Sequence, residues 1–268
     1  MENSFVNILK NEKAHHGILR LTLDDQQNKN ALSESMMTQL SKALAEASID
    51  NSIKVIVIAA NGNVFCSGHN LKEITDARKN DDDGESYFLS LFNLCSSLMK
   101  MIVNCSKPVI AEVSGIATAA GCQLVASCDL AIASDASKFA TPGVNIGLFC
   151  STPMVALSRN VHKKEAMKML LTGDMINAEE AKRISLINDV VPEGDLTKSV
   201  MNLAEKISNK SSKVIKIGKE AFYEQHNLSL SDAYEFTGKV MTENTLNDDA
   251  KEGISSFIEK RDPNWGNK

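Results

Sequence analysis

The sequence predicts an α/β fold, with a strand-bearing core over residues 1–192 and a helical region over 193–268. Three observations carry this. "KVIVIAA" at 54–60 and "PVIAEV" at 108–113 are continuous apolar runs of strand length, the pattern of strands covered on both faces. The segments between such runs have helical spacing, as with Met36, Met37, Leu40, Leu44 and Ala47. Beyond Val191-Pro192 the strand patterns stop, and helical ones run almost to Trp265.

Taken in order, "SFVNILK" (4–10) and "GILRLTL" (17–23) are β-prone runs separated by "NEKAHH", which predicts a hairpin. A helix follows from Ser33, a good N-cap residue. The strand at 54–60 leads into the loop "NGNVFCSGHNLKE". "RKNDDDGE" at 78–85 predicts a solvated loop, because its three successive aspartates lack the spaced ligands of a calcium loop. A helix over 87–104 ends before Pro108, and the strand at 108–113 opens into "GIATAAGCQLVASCD" at 115–129. "LAIAS" and "KFATP" are strand-like, and helical patterns return around 153–160, 163–172 and 178–185. No solenoid-type repeat is present, although the strand, strand, helix rhythm recurs.

The chain has 268 residues and a formal charge of −5, which argues against nucleic acid or an acidic membrane surface as the main partner. Its six cysteines, at 66, 95, 105, 122, 128 and 150, show no CxxC spacing and are expected as reduced thiols. The N-terminus lacks the pattern of a targeting sequence, and no window approaches the ~20 apolar residues of a membrane span. The expectation is a cytoplasmic protein. "GIATAAGC" is not GxGxxG, no GxxxxGK[ST] loop occurs, and no His or Cys spacing suggests a metal site.

Two loops could carry chemistry. "FCSGHNLKE" and "GIATAAGCQ" each follow a buried strand and place small residues where a helix begins, so each could offer one free amide to a common point. Two converging N–H groups form an oxyanion hole, which stabilises the enolate of a thioester and is worth about 10²–10³ in rate per donor.

The order and spacing of "NKNALS" (28–33), "VFCSGHNLKE" (64–73), "KPVIAEVSGIATAAGCQLVASCDLAIAS" (107–134), "FATPGVNIGL" (139–148), "LLTGDMINAEEAKRISLINDVV" (170–191) and "FIEKR" (257–261) resembles the enoyl-CoA hydratase/isomerase, or crotonase, family over nearly the whole chain. The resemblance implies a crotonase-like core of ββα units wound into a superhelix, with a helical C-terminal region that makes homotrimer contacts, the trimers pairing as hexamers. It implies an acyl-CoA substrate, with coenzyme A part of that substrate and no covalently bound cofactor. It implies oxyanion-hole amides at His69 and Ala120, a CoA groove lined by Lys29, Ala31, Gly68, Asn70, Leu71 and Lys72, and a reach toward the adenine by Phe257 and Lys260, within the chain or from a neighbouring subunit.

The sequence departs from the family at the two positions where hydratases carry acid and base glutamates, which here are Gln123 and Gly143. An amide does not titrate and glycine has no side chain, so ordinary hydration is not expected. The His69 ring, lacking a recognisable carboxylate partner, reads as a packing or surface residue rather than a base; Asn145, Cys150 and Ser151 stand near the site without an assigned role. The function expected is thioester enolate stabilisation by a lyase or isomerase of this family. Decarboxylation of a malonyl-type CoA, or non-catalytic acyl-CoA binding, are the alternatives.

Overall fold

The structure, a computed structural model, describes residues 8–266. Strand β1 (Leu9–Ala14) pairs antiparallel with β2 (Ile18–Leu23). The hairpin is as expected but displaced. Residues 11–14, expected in the turn, extend the strand, and residues 4–7 of the expected first strand lie outside the described residues. The turn closes at His16 and Gly17, both with positive φ. The polar "NEKA" reads as a turn in sequence, yet it suits the edge strand that β1 forms.

Helix α1 (Glu34–Ile49) begins where Ser33 Oγ accepts from the Met36 amide, and it buries Met36, Met37, Leu40, Ala43, Leu44 and Ala47. Three strand, strand, helix units follow. The first is β3 (Val55–Ala60), β4 (Val64–Cys66), α2 (Leu71–Ala77) and α3 (Glu85–Asn104). The second is β5 (Val109–Val113), β6 (Ile116–Thr118) and α4 (Ala120–Ser127). The third is β7 (Leu130–Ser134), β8 (Lys138–Ala140), a short 3-10 turn at Pro142–Ile146, and α5 (Pro153–Asn160). Then come α6 (Lys163–Thr172), β9 (Ile176–Asn177), α7 (Ala178–Arg183), β10 (Asp189–Val191) and α8 (Leu196–Ser208).

In each unit the first strand joins a six-stranded sheet ordered β1-β2-β3-β5-β7-β10, and the short second strand joins a four-stranded sheet ordered β4-β6-β8-β9. From β2 to β10 the large sheet is parallel. One face packs into the main core with α1 and α3; the other packs Ile18, Val55, Val57, Ile110 and Ile132 against Leu196, Val200 and Ala204 of α8. This double cover explains the unbroken apolar runs. It also makes α8 a layer of the core, although it lies beyond the expected division at residue 192.

Glu112 interrupts β5 with a buried charge, and its partners account for it. Arg20 Nη2 donates to Glu112 Oε1 at 2.7 Å, and Thr197 Oγ1 donates to the same oxygen at 2.7 Å. The pair thus holds α8 on the sheet. Helix α3 is long and apolar enough to cross a membrane by length and composition, contrary to the sequence expectation, but it buries Leu91, Cys95, Leu98, Met99 and Ile102 in the core. The aspartate run at 81–83 is exposed, and Asp82 accepts from the Gly84 and Ser86 amides at the start of α3. All six cysteines are free and buried.

The last helices, α9 (Ser212–Gln225), α10 (Leu230–Leu246) and α11 (Asp248–Glu259), extend beyond the sheet. Neither α9 nor α10 fully buries a residue. The anchor of α9 is polar: Lys219 Nζ lies 2.6 Å from Asp129 Oδ2, and Tyr223 donates to Asp129 Oδ1 at 2.9 Å.

Candidate active site

The two small-residue loops meet at the carboxyl ends of β4 and β6. Leu32 forms a parallel bridge with His69, its amide donating to the Gly68 carbonyl at 2.7 Å. Thr118 Oγ1 donates to the Ser67 carbonyl at 3.1 Å, which ties the second loop to the first. Two glycines allow backbone to meet backbone. At Gly68, with φ of 96°, an added Cβ would lie 2.9 Å from Ala119 Cβ and 3.4 Å from Ala120 N. At Gly121 it would lie 2.1 Å from the Cys66 carbonyl oxygen.

Ala119 has φ 50° and ψ −118°, a strained conformation for a residue with a Cβ. The surroundings hold it there: its amide donates to the Ala140 carbonyl at 3.0 Å and its carbonyl accepts from Gln123 N at 3.0 Å. The strain turns the chain so that Ala120 becomes the first residue of α4, where the amide has no partner within the helix. Among the described residues no backbone carbonyl accepts from the His69 or Ala120 amide. Both residues line a cavity of about 450 Å³.

The cavity is mostly apolar, with Leu71, Ile74, Phe92, Ile146, Leu148 and Phe149 in its wall. Ser67, Asn145, Cys150, Ser151 and Thr152 supply its polar surface along with His69. Among the described residues no Asp, Glu, Lys or Arg lines it. The His69 ring is fixed at two points, by Nδ1 lying 3.3 Å from the Leu32 carbonyl and by an edge contact with Phe92 at 5.5 Å between centroids. A carbonyl only accepts, so Nδ1 carries the proton and Nε2 is left as an acceptor. Nε2 is buried and has no partner. Burial pushes the ring's pKa down, against a smaller opposing effect of the Leu32 carbonyl.

The predicted residues separate into groups. Lys29, Ala31, Gly68, Asn70, Leu71 and Lys72 lie together, because residues 29–32 run beside 67–70, with Ser67 N donating to the Lys29 carbonyl at 3.2 Å. Within that group Ala31 and Gly68 are buried, while Lys29, Leu71 and Lys72 are exposed. Asn70 has a structural task as well, since its Oδ1 accepts from Lys72 N and caps α2. Gln123 is 4% exposed and does not line the cavity; its Oε1 faces the Cys95 thiol at 3.9 Å. Phe257 and Lys260 stand at the exposed end of α11 and do not reach the cavity in this chain.

Gly143 does line the cavity, but it is more than a missing side chain. A Cβ there would lie 2.8 Å from the Leu148 carbonyl oxygen and 2.9 Å from Cys150 Sγ. The Leu148 amide donates to the Gly143 carbonyl at 2.9 Å, folding residues 147–150 back over the position. Burial raises the Cys150 thiol pKa, against a smaller opposing effect of the Gly143 backbone. Restoring both carboxylates as Gln123→Glu with Gly143→Glu is therefore expected to give no hydratase, and to cost about 1–3 kcal/mol through overpacking. Urea denaturation and an enoyl-CoA assay on the double variant check both parts.

Sequence reasoning missed Phe92, Ile74 and the 148–149 wall. Phe92 and Ile74 carry no motif and enter the cavity only because α2 and α3 fold back beside their own β4 loop.

With two backbone segments converging on one cavity, comparison with known proteins becomes informative. Residues 13–268 match the family described as enoyl-CoA hydratase/isomerase. The chain belongs to the enoyl-CoA hydratase/isomerase family. It is 48% identical over 265 residues to the Xenopus laevis enoyl-CoA hydratase domain-containing protein 3, mitochondrial, covering 99% of this chain and 87% of that one. The crystal structure of human enoyl coenzyme A hydratase domain-containing protein 3 superposes with a TM-score of 0.91 at 44% identity, over 96% of this chain and 100% of that chain. The Escherichia coli 2,3-dehydroadipyl-CoA hydratase is 30% identical over 249 residues, 92% of this chain and 94% of that protein.

This family member therefore has the crotonase fold that the motifs implied. The expected cytoplasmic location is corrected by the same comparison, since the Xenopus relative and its mouse, rat and human counterparts are all named as mitochondrial. Unpaired cysteines and the lack of a presequence pattern carried that expectation, and neither distinguishes one reducing compartment from another.

Proposed function

We propose that this enoyl-CoA hydratase/isomerase family protein binds an acyl-CoA thioester with its carbonyl oxygen between the His69 and Ala120 amides, and stabilises the enolate formed there. The observation that carries this is the contact of Gly68 with the Ala119–Ala120 turn beside a cavity that both His69 and Ala120 line, with no backbone carbonyl among the described residues accepting from either amide. Preorganised donors of this kind act in a water-poor site without reorganising during reaction. The apolar wall from Leu71 to Phe149 suits an aliphatic acyl chain. A mitochondrial setting, carried by the names of the vertebrate relatives, belongs to the same proposal.

Hydration by two carboxylates is not part of it. With no acidic side chain on the wall, hydration of a straight-chain 2-enoyl-CoA is expected at least about 10²-fold below that of a two-glutamate relative. A malonyl-type substrate is disfavoured too, since no Lys or Arg among the described residues lines the cavity to hold its carboxylate. Exposed apolar residues on α10 and α11, among them Tyr234, Met241, Phe257 and Ile258, support the self-association that the family resemblance implies.

The direct test is infrared difference spectroscopy of butyryl-CoA labelled with ¹³C at the thioester carbonyl. The stretch is expected to move to lower wavenumber on binding; a bound ligand with an unmoved stretch removes the oxyanion reading.

A further inference from the structure

We propose that His69 Nε2 is the proton acceptor for the acyl α-carbon in this cavity, the role that carboxylates fill in two-glutamate relatives. The inference rests on the thioester pose just described. It begins with an orphan. Buried polar atoms in folded proteins are nearly all paired, and leaving an acceptor unsatisfied costs about 1–3 kcal/mol. A histidine present only for packing would satisfy both ring nitrogens or expose one, whereas Nε2 is buried, unpartnered and part of a residue that lines the cavity.

Elimination points the same way. Among the described residues that line the cavity, His69 and Cys150 are the ones that titrate in an ordinary range. Burial raises the Cys150 thiol pKa and keeps the sulfur protonated. Gln123 cannot titrate and faces Cys95. Of the described side chains that line this wall, the His69 imidazole is the basic one, its free lone pair set by the Leu32 contact at the other nitrogen.

The step balances without a further reagent. Nε2 takes the α-proton as the C–H bond breaks. The C–H electron pair becomes the enolate double bond, and the carbonyl π pair moves onto the oxygen that faces the His69 and Ala120 amides. The ring becomes imidazolium with Nδ1–H still directed to Leu32 O. Reprotonation by the same nitrogen reverses the step, so in D₂O the α-position of a saturated acyl-CoA exchanges its hydrogen.

Several titratable groups stand on the elements around the ring: Glu34 on α1, Lys72 and Glu73 on α2, Tyr87 and Cys95 on α3, and Cys150 on the returning loop. Glu73 is engaged by Asn70 Nδ2 and the Tyr87 hydroxyl, and the ring's pKa responds to burial and the Leu32 carbonyl alone. A neutral ring is the active form. The exchange rate should therefore rise with pH through a midpoint below the ordinary histidine value of about 6.5, then stay level.

The test measures deuterium uptake at the α-carbon of butyryl-CoA by mass spectrometry. His69→Asn keeps the backbone amide and a donor facing Leu32 O while removing Nε2. It is expected to lower exchange by at least about 10²-fold with butyryl-CoA affinity and the carbonyl shift retained. His69→Ala should regain part of the rate when imidazole is added. No exchange by the wild type, exchange by His69→Asn within threefold of wild type, or a wild-type rate without an acidic limb each overturns the proposal. Should His69→Asn also disturb the site, the wild-type pH limb and the imidazole rescue decide the matter. A missing carbonyl shift in the wild type instead removes the oxyanion reading, so the two failures are distinguishable.

Discussion

Gly121→Ala is expected to destabilise the protein by about 1–3 kcal/mol and to abolish the infrared shift of a bound thioester carbonyl. The added methyl would sit 2.1 Å from the Cys66 carbonyl oxygen. That atom is backbone at the end of β4, so no rotamer change relieves the overlap. The end of β4 must move away from α4, and with it the Gly68 contact on Ala119. A misplacement of about 1 Å between positioning groups can cost about 10²-fold, so the separation of the two amides matters more than the lost stability. Gly218→Ala in α9 is the matched control: nothing lies within 4 Å of its added Cβ, and alanine in a helix interior is stabilising by up to about 1 kcal/mol. Urea titration and the carbonyl shift read both variants. Wild-type stability with a normal shift in Gly121→Ala would show that the loops do not touch as described.

Asp129→Ala is expected to cost more, about 3–5 kcal/mol. Asp129 accepts from Lys219 Nζ, the Tyr223 hydroxyl and the Val109 amide, and the Lys219 and Asp129 side chains are 8% and 14% exposed. Removing the carboxylate strands an ammonium whose remaining partners are the Ile102 and Lys107 carbonyls, at 3.1 and 3.0 Å. The lost contacts also free α9 from the Asp129 turn ahead of β7 and leave the Val109 amide at the start of β5 without its side-chain acceptor. The exposed Lys239–Glu235 pair on α10 gives the contrast, because its side chains are 69% and 70% open to solvent and such pairs contribute about 0–1 kcal/mol. Thermal unfolding of Asp129→Ala beside Glu235→Ala should separate the two by several degrees. Equal melting temperatures would refute a buried anchor.

What the sequence disclosed follows from how each element is stabilised. Strands β3 and β5 were legible because both of their faces are apolar, and the site loops because Gly and Ala at a helix entrance are conspicuous. The family motifs then joined those loops into one expectation. Strands β4 and β6 were not foreseen, since three residues among small loop residues have no period to detect. The Lys219–Asp129 anchor spans 90 residues, beyond any local pattern. At Gly143 the sequence shows a missing carboxylate, but only the fold shows that residues 148–150 occupy its place. The His69 ring has no local signal either, since only the fold shows that its Nε2 is buried without a partner.

The helix that seals the far side of the large sheet has a consequence for synthesis. Ile18, Val55, Val57, Ile110 and Ile132 all precede their cover, Leu196 to Ala204, by at least 64 residues of chain. A nascent polypeptide that has released every strand from the ribosome still presents that greasy plane to its surroundings until the later helix emerges. Premature termination anywhere before it should yield aggregates rather than a smaller soluble protein.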